Sequence, residues 1–223
     1  MQSELRPLKR RLGLRRRVVG ESEWHVGATS EVELVASIAQ IGTRAAAAAT
    51  EHLLDTFDVH HVVVAGIAGG VDPALDIGEL VVPEVVIDRS TGREYRHRPL
   101  GGVPVKGGLL TSDELLYQDD VLRDLIERDI VAVDMETSAV AEVCERRGVP
   151  WSVFRAISDR ASDASVLAEG IMGMIHADGS PNVRVVARYL ATRPHRIPHL
   201  VRLGRGSQAA ARNAADAVAR AVG

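Results

Sequence analysis

Short apolar runs alternate with longer helical segments along this chain of 223 residues. The apolar runs predict strands at Glu31–Ala39, Val62–Ala65, Leu80–Ile87 and Leu109–Thr111. An alanine-rich stretch predicts a helix over Thr43–Phe57, and Pro83 indicates a bulge or an edge strand. Alternation of this kind is typical of one α/β domain with a mostly parallel sheet and helices on its faces.

The stretch Val131–Arg160 carries the most information about function. Its apolar residues share one helical face and Gly148 ends the helix, so Asp134, Met135 and Glu136 fall at the helix start. The run Trp151–Ile157 predicts a strand buried on both faces. Ligands of parallel sheets bind beyond the carboxyl ends of the strands, so Ser158 and Asp159 are predicted to lie beside a pocket.

A glycine-rich turn, Gly66–Gly70, is predicted to follow the strand Val62–Ala65. Its spacing matches neither a dinucleotide-binding motif nor a P-loop, so a purely structural turn and a ligand-approach site both stay open. Glu136 is equally compatible with a carboxylate that only favours a helix N-terminus, and Asp159 with a simple helix cap. Their shared position at strand and helix ends favours a site.

Composition excludes several classes of protein. The net charge of −3 argues against a nucleic-acid partner, and no apolar run reaches the length of a membrane span. The N-terminus has no apolar signal segment, and the single cysteine, Cys144, fits a reducing cytoplasm. The histidines show no ligand spacing, so no metal is expected.

The segment Ala65–Val82 (AGIAGGVDPALDIGELVV), followed by VDMETSAVAEVC and VPWSVFRAISD, resembles the purine nucleoside phosphorylase/uridine phosphorylase superfamily. Within it the chain is most similar to methylthioadenosine/S-adenosylhomocysteine nucleosidases. The resemblance implies a single three-layer α/β domain over residues 1–223, with a mixed, twisted central sheet flanked by helices. It also implies a homodimer or larger homo-oligomer that cleaves the N-ribosidic bond of a purine nucleoside without a cofactor.

The same resemblance assigns roles to individual residues. Asp159 corresponds to the general acid that protonates the departing base at N7, and Glu4 to the carboxylate that polarises the attacking water. Glu136 corresponds to the residue that binds the ribose hydroxyls. The remaining substrate-binding positions are Ser158 beside the acid, Met135 against the sugar, Ala68, Gly69, and Leu115 and Leu116 near the base.

The chemistry is consistent with these residue types. An N-riboside breaks through a cationic, oxocarbenium-like state, and a purine leaves readily only when it is protonated. The reaction therefore requires a carboxylic acid that holds a proton near neutral pH on one side and a carboxylate on the other. The two carboxylates of glycoside hydrolases follow the same logic.

Departures from the family pattern leave alternatives open. The apolar strand that normally precedes the N-terminal glutamate is missing ahead of Glu4. Either the true start lies upstream of Met1, which we expect, or the chain lacks a central strand and holds Glu4 on a frayed terminus. Ile67 stands where the nucleosidases have Ser or Thr. No arginine lies immediately before Gly66, which favours water over phosphate as the acceptor. A phosphate-dependent phosphorylase and a catalytically impaired nucleoside-binding protein remain alternatives.

The C-terminal segment, about 165–223, departs most from the family. A turn-rich insertion at 176–181 leads into a series of arginines and a final alanine-rich helix. This segment is similar to that of hopanoid-associated nucleoside phosphorylases, which act on a lipid-linked adenosine. A solvated helical face and a surface for an anionic or amphipathic substrate are both compatible with these arginines.

Overall fold

The computed structural model describes residues 2–161 and 197–223. Five α-helices lie within these two ranges: α1 (Gln2–Arg11), α2 (Thr43–Thr56), α3 (Asp119–Glu127), α4 (Thr137–Arg147) and α5 (Ile197–Val222). Helix α2 matches the predicted alanine-rich helix. Helix α5 forms the end of the C-terminal segment, whose insertion at 176–181 and arginines up to Arg196 lie outside the described residues. No helix within the described ranges is long and apolar enough to cross a membrane.

The strands of the described residues form two sheets. A small antiparallel sheet contains β1 (Arg15–Val19), β2 (Ser22–Ala28) and β3 (Glu33–Ala36). The central sheet contains β4 (Val62–Gly70), β5 (Leu80–Val81), β6 (Val85–Asp88), β7 (Glu94–Tyr95), β8 (Gly108–Thr111), β9 (Ile130–Asp134) and β10 (Trp151–Arg160). Its strand order is β5-β10-β4-β9-β8-β6-β7.

The central sheet is mixed. Strand β10 runs parallel to β4, and β8 runs parallel to both β6 and β9. The other three pairings, β10 with β5, β4 with β9 and β6 with β7, are antiparallel. The mixed sheet implied by the family resemblance is confirmed. The mostly parallel sheet that strand–helix alternation predicted is wrong. Strands as short as β5 and β7 show little hydrophobic periodicity, so the alternation does not reveal the antiparallel pairings.

Strand β10 lies at the centre of three layers. Its residues Trp151 to Ser158 are all buried, as the apolar run predicted. Trp151, Val153 and Ile157 belong to the core cluster that includes α4. Phe154 and Ala156 face the opposite way and pack against α5. Because successive strand residues point to opposite faces, β10 is covered by a helix on each side.

Helix α4 begins and ends where the sequence predicts. Glu136 is its N-cap residue, and Gly148 ends it in the left-handed conformation, with φ of 68°. A residue without Cβ adopts this conformation at little cost, so the chain can turn at Gly148 into β10. The ends of β9 and β10 and the start of α4 are thereby fixed side by side.

Three boundaries differ from the predictions. Gly66–Gly70 is not a turn but the end of β4, because β10 and then β9 pair with these residues. The predicted strand Leu80–Ile87 is two strands, β5 and β6, which separate at Pro83 and join distant parts of the sheet. The predicted strand Glu31–Ala39 is shorter and belongs to the small sheet.

One edge of β4 is open. Strand β10 pairs with β4 along its whole length, whereas β9 pairs with it only at Gly69 and Gly70. From Val62 to Ala68, no strand of the described residues pairs with the other edge. Helix α1 lies at the carboxyl end of this edge, where Glu4 accepts a hydrogen bond from the Ile67 amide at 3.0 Å. The edge forms one wall of the cavity described next.

Candidate active site

All nine predicted site residues line a single cavity of about 1560 Å³. The cavity lies beside the open edge of β4 and extends past α1, α5 and the small sheet. The residues are Glu4, Ala68, Gly69, Leu115, Leu116, Met135, Glu136, Ser158 and Asp159. The cavity exceeds the roughly 300–1,000 Å³ of common ligand pockets, so a nucleoside would fill only part of it.

The end of β10 places Ser158 and Asp159 in the wall of the cavity. The pairing of β10 with β4 shifts by one residue between Ile157 and Asp159, so Ser158 forms a bulge. Bulges change the direction in which the following side chain points, and they are common beside active sites. Ser158 is buried, whereas Asp159 is half-buried and faces the cavity.

A short hydrogen-bond chain connects Asp159 to the backbone of β4. The Ser158 hydroxyl lies within hydrogen-bond distance of Asp159 Oδ1 and is 3.3 Å from the Ala68 carbonyl oxygen. A protonated Asp159 could donate to Ser158 while Ser158 donates to Ala68. The arrangement therefore suits a carboxyl group that alternates between its protonated and ionised forms.

A second part of the site, the charged end, is a buried cluster of charged side chains around Arg155. Arg155, in the middle of β10, donates through Nη2 to Asp134 at the end of β9 and, at 3.2 Å, to Glu136 Oε2. Glu4 adds a third carboxylate that acts on the guanidinium. The Arg155 and Asp134 side chains are only 4% and 1% exposed, so their charges must be balanced within the cluster.

The ionisation of Glu136 is strongly perturbed. Burial is the largest influence, and with the nearby charges of Asp134 and Glu4 it raises the pKa of Glu136 to about 7, although Arg155 acts in the opposite direction. Burial alone would lower the pKa of Arg155, but the attraction of Asp134, Glu136 and Glu4 raises it. The cluster therefore holds a permanent cation beside a carboxyl group that titrates near neutral pH.

Arg155 is a site residue that the sequence analysis missed. Its Nε and Nη2 donate to Thr137 Oγ1 at 3.2 and 2.9 Å, and its Nη1 donates to the Ile67 carbonyl oxygen at 3.4 Å. The signal was a charged residue within the otherwise apolar run WSVFRAI. Because arginine is almost never buried unless it is paired, this position indicated a set of buried carboxylates.

Gly66 makes room for this cluster. A Cβ atom at this position would lie 2.5 Å from both Arg155 Nη1 and Glu4 Oε1. The groups that approach Gly66 closely are thus two side chains of the protein. The adjacent Ile67 bonds to Glu4 and Arg155 through its backbone, while its side chain packs against the α5 alanines.

The loop that follows β8 closes the cavity near Leu115 and Leu116. Asp113, just before these leucines, accepts hydrogen bonds from the Thr43 amide and hydroxyl at 2.8 and 2.6 Å. The N-terminus of α2 is thus attached to the loop, and the amide of Gly42 bonds to Glu136. The start of α2 therefore supports both the apolar wall and the charged cluster.

Residues 2–161 and 197–223 contain no group of three or more His, Cys, Asp or Glu side chains placed to hold a metal ion. Cys144 is buried in the core, and burial raises the pKa of its thiol to about 12. Its thiol is therefore unreactive near neutral pH. Among the described residues, the groups next to Glu136 that can take part in chemistry are carboxyl groups and the Arg155 guanidinium.

Comparison with known proteins identifies the family of the chain. A family model described as the phosphorylase superfamily matches residues 1–128 and 101–191. The 5′-methylthioadenosine/S-adenosylhomocysteine nucleosidase of Halalkalibacterium halodurans is 28% identical over 191 residues, covering 72% of this chain and 83% of that protein. The nucleosidase of the same name from Geobacillus kaustophilus is 28% identical over 196 residues, covering 74% and 83%.

Solved structures share the fold. The futalosine hydrolase of Helicobacter pylori superposes with a TM-score of 0.75 at 18% identity, covering all of this chain and 94% of that one. A 5′-methylthioadenosine/S-adenosylhomocysteine nucleosidase from Colwellia psychrerythraea, in complex with adenine, gives 0.73 at 22% identity and covers 100% and 91%. The three-layer arrangement around a mixed sheet is therefore one that known proteins adopt.

Proposed function

The chain belongs to the phosphorylase superfamily, and we propose that it is an N-ribosyl hydrolase that releases the base from a purine nucleoside. A 5′-substituted adenosine, such as methylthioadenosine or S-adenosylhomocysteine, is the proposed substrate class. The support comes from the family, from curated relatives of that name and from a cavity that contains every carboxylate the reaction needs.

In this proposal Asp159 donates a proton to N7 of the purine as the N-ribosidic bond breaks. Ser158 orients the acid, because its hydroxyl donates a hydrogen bond to Asp159 Oδ1. Protonation turns the purine into a neutral leaving group, and a positioned acid of this kind contributes on the order of 10²–10⁴-fold. Leu115 and Leu116 cover the base with apolar surface, and the end of β4 at Ala68 and Gly69 lies against the bound nucleoside.

The opposite end of the cavity carries the ribose and the water. Ionised Glu136 accepts hydrogen bonds from the ribose hydroxyls, and Met135 packs against the sugar. Glu4, held by the Ile67 amide, removes a proton from the attacking water. The electron pair of the broken bond stays on the purine, and the water oxygen forms the new bond to the anomeric carbon.

The charged cluster is the observation that supports water rather than phosphate as the acceptor. Arg155 is the cation at this end, and its donors are directed to Asp134, Glu136, Thr137 and the Ile67 carbonyl. Three carboxylates around one guanidinium create a negative field, which repels a phosphate dianion. A phosphorylase requires the reverse balance, with cationic donors free to bind phosphate.

The experiment is an assay of free adenine from methylthioadenosine, first without and then with phosphate. We expect release in both conditions at the same rate, with a free ribose derivative as the second product. A requirement for phosphate, with a ribose 1-phosphate product, would identify a phosphorylase. Binding of methylthioadenosine without release of adenine would identify a nucleoside-binding protein and overturn the hydrolase proposal.

The proposal extends to assembly and location. A homodimer or larger homo-oligomer, acting in the cytoplasm on a small-molecule nucleoside, is what the family resemblance implies. Light scattering coupled to size-exclusion chromatography measures the mass directly. A particle of 24.0 kDa, the mass of one chain, would contradict the assembly.

A further inference from the structure

Asp134 lies in the wall of the cavity, but its carboxylate is already occupied by hydrogen bonds from the protein. Its Oδ1 accepts from the Thr111 hydroxyl at 2.7 Å, and its Oδ2 accepts from the Thr137 hydroxyl and from Arg155 Nη2. The Thr137 amide adds a further donor at 3.2 Å. With 1% of its side chain exposed and four donors from the protein, the Asp134 carboxylate is directed to the protein rather than to a ligand.

We propose that Asp134 is a positioning residue for the hydrolysis, which acts by fixing how the guanidinium of Arg155 is shared between Glu136 and Glu4. This inference rests on the proposed function of the site. It assigns a role to a carboxylate that neither binds substrate nor transfers a proton.

The geometry explains why a second carboxylate is needed. Arg155 Nη2 donates to both Asp134 and Glu136, so neither carboxylate receives the full guanidinium. An arginine facing a single carboxylate tends to form a bidentate pair with two parallel hydrogen bonds. Without Asp134, Glu136 would be drawn into such a pair and would lose the oxygen that accepts from the ribose. Asp134 thereby keeps Glu136 available to the substrate.

The position of Nη1, on the Glu4 side of the guanidinium, also depends on the hydrogen bond between Asp134 and Nη2. Arg155 Nη1 donates to the Ile67 carbonyl oxygen at 3.4 Å. Both Nη1 and Glu4 Oε1 lie next to Gly66, each 2.5 Å from where a Cβ atom of that residue would be. Rotation of the guanidinium towards Glu136 would withdraw Nη1 from this place. The carboxylate proposed to activate water would then lose the cation that balances it.

Asp134 also contributes to the charge that Glu136 experiences. The charged groups that act on Glu136 are Arg155 of β10, Asp134 of β9 and Glu4 of α1, and α2 adds the Gly42 amide. Replacing Asp134 with asparagine removes one of the two negative charges that raise the pKa of Glu136. Since the ionised carboxylate is the form that binds ribose, activity would then persist to lower pH.

The test compares Asp134→Asn with the wild type and with Asp88→Asn. Asp88 is a matched control, since it accepts from Ser138, next to Thr137, and from Thr91 in the β6 turn, without touching Arg155. For Asp134→Asn we expect kcat/KM to fall roughly 10–100-fold, the range for residues that orient functional groups. The acidic limb of its pH profile should move to lower pH. Asp88→Asn should leave both kcat/KM and the limb unchanged.

A readout without turnover separates this inference from the proposed function. Carbon-13 NMR of the carboxyl groups should show one that titrates near pH 7 in the wild type, is absent in Glu136→Gln and titrates lower in Asp134→Asn. If the wild type releases no adenine, the function fails while this titration still decides the inference. The role of Asp134 would be overturned if Asp134→Asn left both the Glu136 titration and the acidic limb of the pH profile at their wild-type pH, even if its thermal stability fell.

Thr111→Val provides a second variant in case Asp134→Asn does not fold. It removes the hydroxyl that donates to Asp134 Oδ1 and leaves all four charges in place. We expect kcat/KM of the folded variant to fall several-fold, because the aspartate loses its anchor on β8. Full activity of folded Thr111→Val would also overturn the proposal.

Discussion

The two parts of the site, the acid end at Asp159 and the charged end at Glu136, use carboxyl groups in different ways. At the end of β10, Asp159 is half-buried and contacts the Ser158 hydroxyl, which can accept or donate a hydrogen bond. At the start of α4, Glu136 shares a guanidinium with Asp134 and lies in the field of Glu4. Asp159 can exchange a proton with little rearrangement, whereas Glu136 and Asp134 are held in place around a permanent cation.

This difference corresponds to the two demands of N-riboside hydrolysis. The departing base needs a proton, which a carboxyl group beside a rotatable hydroxyl can supply. The sugar becomes cationic, and ordered carboxylates stabilise that charge without reorganising during the reaction. The cost of the ordered end is burial of several charges, which Arg155 and the hydroxyls of Thr111 and Thr137 offset.

The largest expected effect is loss of the acid. Asp159→Asn should lower kcat by about 10²–10⁴-fold, because the amide cannot protonate the purine, while calorimetry should still detect methylthioadenosine binding. Ser158→Ala is the milder comparison, since it retains the acid and removes only its hydroxyl partner. Unchanged turnover in Asp159→Asn would remove this residue from its role.

The second prediction tests whether Arg155 and Glu4 need the space that Gly66 leaves by having no side chain. Gly66→Ala would place a methyl group 2.5 Å from both Arg155 Nη1 and Glu4 Oε1. We expect the two side chains to separate and kcat/KM to fall on the order of 100-fold, as when catalytic groups are displaced by about 1 Å. Steady-state kinetics and a crystal structure of the variant check this. Full activity would show that the cluster tolerates the added volume.

A matched pair of glycines in α5 tests the packing behind the acid. A Cβ on Gly206 would lie 2.4 Å from the Ser158 carbonyl oxygen, whereas one on Gly204 meets nothing within 4 Å. Gly206→Ala should destabilise the protein by about 1–3 kcal/mol through overpacking and should lower activity. Gly204→Ala should stabilise it by up to about 1 kcal/mol, since alanine favours a helix. Equal melting temperatures for the two variants would contradict this packing.

The last and smallest expected effect is a change with pH in the melting temperature of Glu136→Gln relative to the wild type. The pKa of Glu136 is about 7 in the folded protein, against an ordinary value of 4.5. Its contribution to stability is therefore fully present below pH 4.5 and is lost as the pH rises to about 7. Glu136→Gln does not titrate, so its melting temperature relative to the wild type should rise between pH 5 and pH 8. A constant difference across that range would show that Glu136 ionises normally.

The two ends also differ in how far the sequence predicted them. The strand WSVFRAI, the stop at Gly148 and the position of Asp159 followed from local patterns and are present in the fold. The glycines after Val62–Ala65 suggested a turn, but β9 and β10 hold them extended as strand. Arg155 was counted as part of an apolar run because its carboxylate partners lie on other elements. Local sequence patterns therefore identify helices and strands. Which residues contact one another within the site depends on the pairing of strands that are distant in the chain.

What the sequence determined by itself was therefore the order of the elements and the candidate chemistry at their ends. Hydrophobic periodicity and capping residues act over a few neighbouring positions, so they can be read along the chain. Only the tertiary structure decided which charges share a guanidinium and which edge of β4 stays open. Glu4 and Ile67 lie 63 residues apart in the chain, and Arg155 and Ile67 lie 88 apart. Because electrostatic interactions depend on distance in space and on burial, such contacts exist only once the sheet has assembled.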